Sequence, residues 1–237
     1  MKRFCFLLVV VAIGIQHIDA QRIGVLPMNT EWYQNPLECK PLQLSTAFGI
    51  VWGSAAVAAS LLFTKKDSLI NQFYLYAETG SSFGYKAPYT TVLNNDIGVI
   101  HPVRKWLSIG AAVNVFHFKD AINNTFSFGI RPFARWYIVH KSNYAVFFEY
   151  GGGVSYSLHP FPLYGSSTDK DTVRTGTRFN FTSKYGVGLE IKASNHIKLQ
   201  AGVRHFHLSN GNLAGIEHNP AHDSNGFFAG VILDTNH

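Results

Sequence analysis

Residues 204–223, RHFHLSNGNLAGIEHNPAHD, crowd four histidines, a serine, three asparagines and two carboxylates into one short stretch. His207 and Ser209 are separated by one residue, so in an extended strand both side chains point the same way, about 7 Å apart at the backbone. An imidazole that can reach a hydroxyl takes its proton and turns a weak nucleophile into a reactive one. The spacing therefore predicts a base and nucleophile of the serine esterase kind.

Such a pair needs an acid to hold the imidazole, and the stretch offers Glu217 and Asp223. Alternation counted back along residues 224–234 gives Asp223 the same side as the apolar residues of that segment. His207 and Ser209 share the corresponding apolar side of their own segment. Parity therefore favours Asp223, and Glu217 remains the alternative acid.

Metal binding is the other use of these side chains, because imidazoles and carboxylates are usual zinc ligands. The candidates are His205, His207, His218, His222 and Asp223. Their spacing matches no common zinc pattern, so we expect neither a metal nor another cofactor. The histidines other than His207 are then expected to take no part in the chemistry.

The segments that position these residues alternate apolar with polar or small side chains, which is the period of a strand with one apolar face. Eight strands are predicted, at 72–84, 91–102, 105–118, 125–139, 143–158, 176–193, 196–208 and 224–234. Several are longer than an ordinary strand of five or six residues. A soluble β-sandwich and a membrane β-barrel both fit the alternation alone.

Composition favours the barrel, since aromatic residues reach 14% and charged residues only 14%, against a usual quarter for charge. Short links near 103–104, 140–142 and 194–195 alternate with longer ones at 85–90, 119–124, 159–175 and 209–223. Outer-membrane barrels alternate periplasmic turns with external loops in this way. The predicted fold class is all-β, an eight-stranded antiparallel transmembrane β-barrel of the outer membrane.

The first residues have the pattern of an export signal, with Lys2 and Arg3 before FCFLLVVVAIGI and with IDA before Gln21. We expect a cleaved signal peptide at 1–20, an N-terminal segment without an assigned role at 21–70 and the barrel at 71–237. The apolar run at 45–63 is long enough for a membrane helix. Its Ser, Thr and Gly content instead favours a helix or irregular segment packed in or under the barrel.

In a barrel, the face that His207, Ser209 and Asp223 share is the face that meets lipid. Ionisable side chains are costly there and need a functional reason, and chemistry on a membrane lipid would be one. The formal net charge of +6 suits an anionic membrane surface better than nucleic acid, so we expect no nucleic-acid partner.

The segment HLSNGNLAGIEHNPAHD resembles the end of the PagL-type lipid A 3-O-deacylases, which are eight-stranded outer-membrane barrels. Their motif is His-x-Ser-Asn, a short loop, and an Asn with an acid four positions later. The matching residues are His207, Ser209, Asn210, Asn219 and Asp223. DIGVIHPVRKWLSIGAAVN, YAVFFEYGGGVSYSL and GTRFNFTSKYGVGLEIKAS extend the likeness over residues 72–233.

The resemblance implies an esterase in the outer membrane of a Gram-negative bacterium that removes the ester-linked 3-hydroxyacyl chain at the 3 position of lipid A. Ser209 becomes the nucleophile, His207 the base and Asp223 the orienting acid. The oxyanion hole falls to the backbone amides of Gly211 and Asn212, which follow Asn210, and to the side chain of Asn219.

The chain departs from the family pattern in having Asp223 where Glu is commoner, a slightly longer loop before Asn219, and Ala221 where Gly is frequent. Two other functions stay open. One is a non-catalytic barrel that is structural or binds lipopolysaccharide, and the other is an outer-membrane phospholipase. The sequence also leaves open whether the barrel forms a homodimer.

Overall fold

The barrel is built from one antiparallel sheet that closes on itself. The computed structural model describes residues 55–59, 61–62, 72–84, 89–164 and 174–235. Each strand pairs with the next one, and the eighth pairs with the first. The strands are β1 (Tyr74–Gly84), β2 (Thr91–Arg104), β3 (Leu107–Lys119), β4 (Asn124–His140), β5 (Tyr144–Tyr164), β6 (Arg174–Lys192), β7 (Ile197–Ser209) and β8 (His222–Asp234). The predicted fold class and strand order are confirmed, while the signal peptide at 1–20 lies outside the described residues.

The outer face of the barrel is apolar. Along β4, Phe126, Phe128 and Ile130 are 45%, 50% and 60% exposed, while the residues between them are buried. A soluble sheet would bury its apolar side, whereas a membrane barrel presents that side to hydrocarbon. The strands are 11 to 21 residues long, which is enough to cross a bilayer.

Paired charges fill the middle of the lumen. Arg131 is fully buried and donates to Asp96 and Glu149, at 2.9 Å each. Lys184 donates a second charged hydrogen bond to Asp96, also at 2.9 Å. Further pairs extend the network, namely Arg135–Glu149, Arg135–Glu190 and Arg204–Glu78. Burial of these charges is tolerated because each has a partner of opposite sign.

Asp96 is the shared countercharge of this network, so we expect Asp96→Asn to lower the free energy of unfolding by about 3–5 kcal/mol. Arg131 and Lys184 are buried, and each would lose the negative charge of the carboxylate that they share. Urea unfolding in detergent micelles, followed by tryptophan fluorescence, measures the change. Lys119→Gln is the matched control, because Lys119 is exposed and its loss should change stability by less than about 0.5 kcal/mol. Equal stability of the two variants would contradict this account of the lumen.

An apolar cluster closes the lumen at the end that carries the longer loops. Its members are Val92, Phe116, Phe118, Phe161, Phe206 and Leu208. Phe206 and Leu208 belong to β7 and face inward. Alternation along the strand therefore turns His205, His207 and Ser209 to the outer face.

The described part of the N-terminal segment is helical at 55–59 and 61–62. Ala56 and Val57 pack against outward-facing residues of the barrel. The cluster against which they pack consists of Leu107, Ala134, Trp136 and Tyr150. The sequence favoured a position in or under the barrel, whereas these helical residues lie against its outer face. None of the described helical residues forms a helix long and apolar enough to cross a membrane, and the rest of the 45–63 run lies outside the described residues.

Candidate active site

His207 and Asp223 form a hydrogen-bonded pair on the outer face. They are directly opposite each other on the adjacent strands β7 and β8. His207 Nδ1 lies 2.8 Å from Asp223 Oδ1, a length that is typical of a hydrogen bond to a charged acceptor. With its Nδ1–H donated to the carboxylate, the imidazole keeps Nε2 as the nitrogen that can take up a proton.

Ser209 is the last residue of β7 and lies two positions beyond His207. The strand therefore presents both side chains on the same face. Among the described residues, no hydrogen bond joins the Ser209 hydroxyl to His207. Bonds between a catalytic hydroxyl and its base are often long without substrate and tighten when substrate binds.

A tight turn follows Ser209 directly. Gly211 and Asn212 both have positive φ, at 64° and 62°, and Leu213 N–H donates to the Asn210 carbonyl at 3.2 Å. Two successive positive φ values define a turn of the I′ class, which glycine and asparagine adopt most readily. The sequence Asn-Gly-Asn thus reverses the chain immediately after the candidate nucleophile.

Three asparagine side chains fasten this turn to the rest of the loop. Asn210 N–H donates to Asn219 Oδ1 at 3.0 Å, and Asn219 Nδ2 donates to Asn212 Oδ1 at 2.7 Å. Asn212 N–H donates to Asn210 Oδ1 at 2.9 Å. The network brings Asn219 back beside the strand end.

The same hydrogen bonds decide which of the candidate oxyanion donors still have an N–H available. The Asn212 amide, which the resemblance implied as a donor, is already bonded to Asn210. The Gly211 amide makes no hydrogen bond within the described part of the chain, and Asn219 Nδ2 uses only one of its two hydrogens. Gly211 and Asn219 are therefore the available donors.

The alternative acid, Glu217, and the histidines at 218 and 222 lie away from the pair of His207 and Asp223. Glu217 belongs to a 3₁₀ turn, Ile216–His218, and makes no hydrogen bond to His207 in the described residues. His218 Nδ1 lies 3.3 Å from the Thr175 carbonyl, and His222 faces the lumen, where it packs against Phe161. No group of three or more His, Cys, Asp or Glu side chains in the described ranges is arranged to hold a metal ion.

His205 was expected to take no part, yet it contacts the acid. Its Nε2 lies 3.3 Å from Asp223 Oδ1, and its Nδ1 lies 3.0 Å from Asn225 Oδ1. The sequence did contain a sign of this contact, because His205 and His207 are two residues apart and therefore share one face of β7. No local pattern indicates Asn225, because its position opposite His205 depends on the register of the hairpin.

Exposed apolar side chains lie beside the Ser209 end of β7. Phe181 is directly opposite Ser209 on β6, and its ring packs edge-on against that of Phe179 at 5.6 Å. Phe179 and Leu213 are 42% and 71% exposed. A hydrocarbon chain bound next to Ser209 would therefore find apolar contacts on the neighbouring strand and on the loop.

A sequence model of the lipid A 3-O-deacylase (PagL) family matches residues 101–231. Among solved structures, Neisserial surface protein A is similar at 14% identity and a TM-score of 0.48, over 68% of this chain and 96% of that one. The outer membrane enzyme PagL is similar at 18% identity and a TM-score of 0.47, over 66% of this chain and 97% of that one. No curated protein sequence matches the chain.

The family match spans more than half of the 237 residues and includes the whole stretch from His205 to Asp223. With the closed barrel and its apolar outer face, it assigns the protein to the outer membrane of a Gram-negative bacterium. The chain belongs to the PagL family of lipid A 3-O-deacylases.

Proposed function

We propose that the protein is a serine esterase that hydrolyses the ester-linked 3-hydroxyacyl chain at the 3 position of lipid A. The observation that carries the proposal is the 2.8 Å bond between His207 Nδ1 and Asp223 on the outer face of the barrel. Ser209 follows on the same face, in a chain of a deacylase family. Nucleophile, base, acid and oxyanion donors are then all supplied by the protein.

In the first step, Ser209 Oγ attacks the ester carbonyl carbon while His207 Nε2 takes the hydroxyl proton. Asp223 accepts the Nδ1–H of His207, which fixes the tautomer and stabilises the imidazolium as it forms. His207 then gives its proton to the departing sugar oxygen, and the acyl chain stays on Ser209. Water, activated by the same imidazole, releases the hydroxy fatty acid and restores Ser209.

Negative charge on the ester oxygen would be stabilised by the Gly211 amide and by Asn219 Nδ2. Donors that are fixed before the reaction lower the barrier because they need no reorganisation when charge develops. The asparagine network of the loop supplies that rigidity. The Asn212 amide would contribute indirectly, by holding Asn210.

The outer leaflet is the natural source of the substrate. Ser209 lies at the loop end of β7 on the face that meets lipid, beside Phe179 and Phe181. An acyl chain of a lipid in the same leaflet could lie along these aromatic rings while its ester reaches Ser209. Its sugar would remain at the polar rim near the loop.

Purified protein in detergent micelles tests the proposal against its two rivals. Lipid A and glycerophospholipid are offered separately, and the released acids are identified by mass spectrometry. We expect a 3-hydroxy fatty acid from lipid A and no fatty acid from phospholipid. Release from phospholipid alone would identify a phospholipase instead, and binding of lipid A without release of any acid would identify a non-catalytic barrel.

Asn219→Asp removes the Nδ2 donor of Asn219, together with its bond to Asn212 Oδ1, and keeps the oxygen acceptor. The carboxylate can still accept from Asn210 N–H, but it offers no donor to an oxyanion. We expect kcat to fall by about 10²–10³-fold, the usual cost of losing one oxyanion donor. Steady-state kinetics on lipid A measure the change, and wild-type kcat would remove Asn219 from the oxyanion hole.

A further inference from the structure

His205 occupies an unusual position for an ionisable side chain of a membrane barrel. It lies on the outer face of β7, two residues before His207, yet it is only 3% exposed. Its Nε2 is 3.3 Å from Asp223 Oδ1. The same carboxylate oxygen accepts from His207 Nδ1 at 2.8 Å. One oxygen of Asp223 therefore contacts two imidazoles from the same strand.

The His205 ring is held on its other sides as well. Asn225, its cross-strand neighbour on β8, lies 3.0 Å from Nδ1. The ring of Tyr185 packs over it with a centroid distance of 4.8 Å. An asparagine amide can present either its oxygen or its nitrogen, so Asn225 can satisfy Nδ1 whether or not that nitrogen carries a proton. With the Asn225 amide turned so that its Nδ2 donates to Nδ1, the imidazole carries its proton on Nε2 and directs that N–H at Asp223.

We propose that His205 is a positioning residue for the deacylation, acting through Asp223; this inference rests on the proposed function. A carboxylate that loses one of its donors turns more freely about its side-chain bonds. A second donor from a fixed ring restricts that rotation and keeps Oδ1 where His207 needs it. His205 would thereby fix the orientation of the base without touching the substrate.

The chemistry of the pair explains why such support matters. His207 becomes an imidazolium in the transition state, and Asp223 stabilises that charge only while the two groups are aligned. Alignment within a fraction of an ångström is what supporting hydrogen bonds provide to a catalytic group. His205, Asn225 and Tyr185 form such a support. His205 and Asn225 lie on the two strands that carry the base and the acid, and Tyr185 lies on the adjacent strand β6.

The test compares His205→Phe with His205→Gln. Phenylalanine keeps an aromatic ring against Tyr185 but has no donor, whereas glutamine keeps an N–H donor. We expect His205→Phe to lower kcat about tenfold to a hundredfold with KM unchanged, the range that corresponds to one hydrogen bond to a charged group. His205→Gln should recover most of that loss. Heat-modifiable migration in gels verifies that each variant is a folded barrel.

A double substitution separates positioning from a general structural effect. In an Asp223→Asn background, His205→Phe should cause almost no further loss, because two groups that act through one contact are not additive. The same fold-loss in both backgrounds would overturn the proposal. So would wild-type kcat for His205→Phe, or a change confined to KM.

Failure of the underlying function gives a different result. If Ser209→Ala retains the wild-type rate, the proposed esterase mechanism is wrong, whatever His205→Phe does. If Ser209→Ala is inactive and His205→Phe has the wild-type kcat, only the role of His205 is wrong.

Discussion

Replacing Ser209 by alanine is expected to lower kcat for lipid A deacylation by about 10⁴-fold or more. The reason is that the mechanism proceeds through a covalent acyl group on Oγ, and alanine has no atom to carry it. Binding of the lipid should persist, since the apolar side chains beside Ser209 are unaltered. A fluorophosphonate probe, which reacts with activated serines, should label the wild type and not this variant.

The matched control is Ser183→Ala. Ser183 lies opposite His207 on β6, so it is a second serine beside the candidate base. It is fully buried, and a lipid ester could not reach its hydroxyl. We expect Ser183→Ala to keep the wild-type rate. A loss of activity in Ser183→Ala, with Ser209→Ala still active, would show that the nucleophile is Ser183 on β6 and not Ser209 on β7.

The second large effect is expected for Asp223→Asn, which should lower kcat by about 10⁴-fold. The amide has the size of the carboxylate but carries no negative charge, so it no longer favours the tautomer and the imidazolium that His207 needs. Asp223 accepts the 2.8 Å bond from His207, and the loss should therefore appear in kcat. Steady-state kinetics on lipid A at saturating concentration measure it.

Glu217→Gln is the control for Asp223→Asn, because Glu217 was the other acid that the sequence offered. Glu217 lies in the 3₁₀ turn within the loop between β7 and β8, and we expect Glu217→Gln to have kinetics like those of the wild type. Activity retained in Asp223→Asn and lost in Glu217→Gln would reverse the assignment of the acid.

The strands could be predicted because nearly every one alternates between a lipid-facing apolar side and a polar or small lumen side. The end of β5 is the exception. The predicted strand ends at residue 158, just before Pro160 and Pro162, and proline removes a donor from a sheet. Instead β5 continues to Tyr164 through a register shift between Tyr156 and Phe161. At the rim of a barrel, an irregularity accommodates the prolines without ending the strand.

The alternation of side chains along the strands predicted that His207, Ser209 and Asp223 share one face. It could not predict which side chains on neighbouring strands contact each other. The bond from His205 to Asp223 depends on how the loop between β7 and β8 sets their register. That contact arises only when two separate strands meet, so no local pattern contains it. The bond that occupies the Asn212 amide is local instead, because it joins residues two apart in the turn that Gly211 begins.

The position of the N-terminal helical residues was also beyond the sequence. Residues 55–62 are almost uniformly small and apolar, so they have no polar side to indicate which face packs. The contact with the outside of the barrel is visible only in the structure, where the outward-facing residues Ala134 and Trp136 are buried.

The central claim is that this barrel removes an acyl chain from lipid A through Ser209. Mass spectrometry of lipid A from Gram-negative cells that express the wild type or Ser209→Ala tests it most directly. We predict that the wild type yields lipid A lacking one 3-hydroxyacyl chain, whereas Ser209→Ala yields the complete lipid. Loss of the chain in both strains would contradict the serine mechanism, and an intact lipid in both would contradict the substrate.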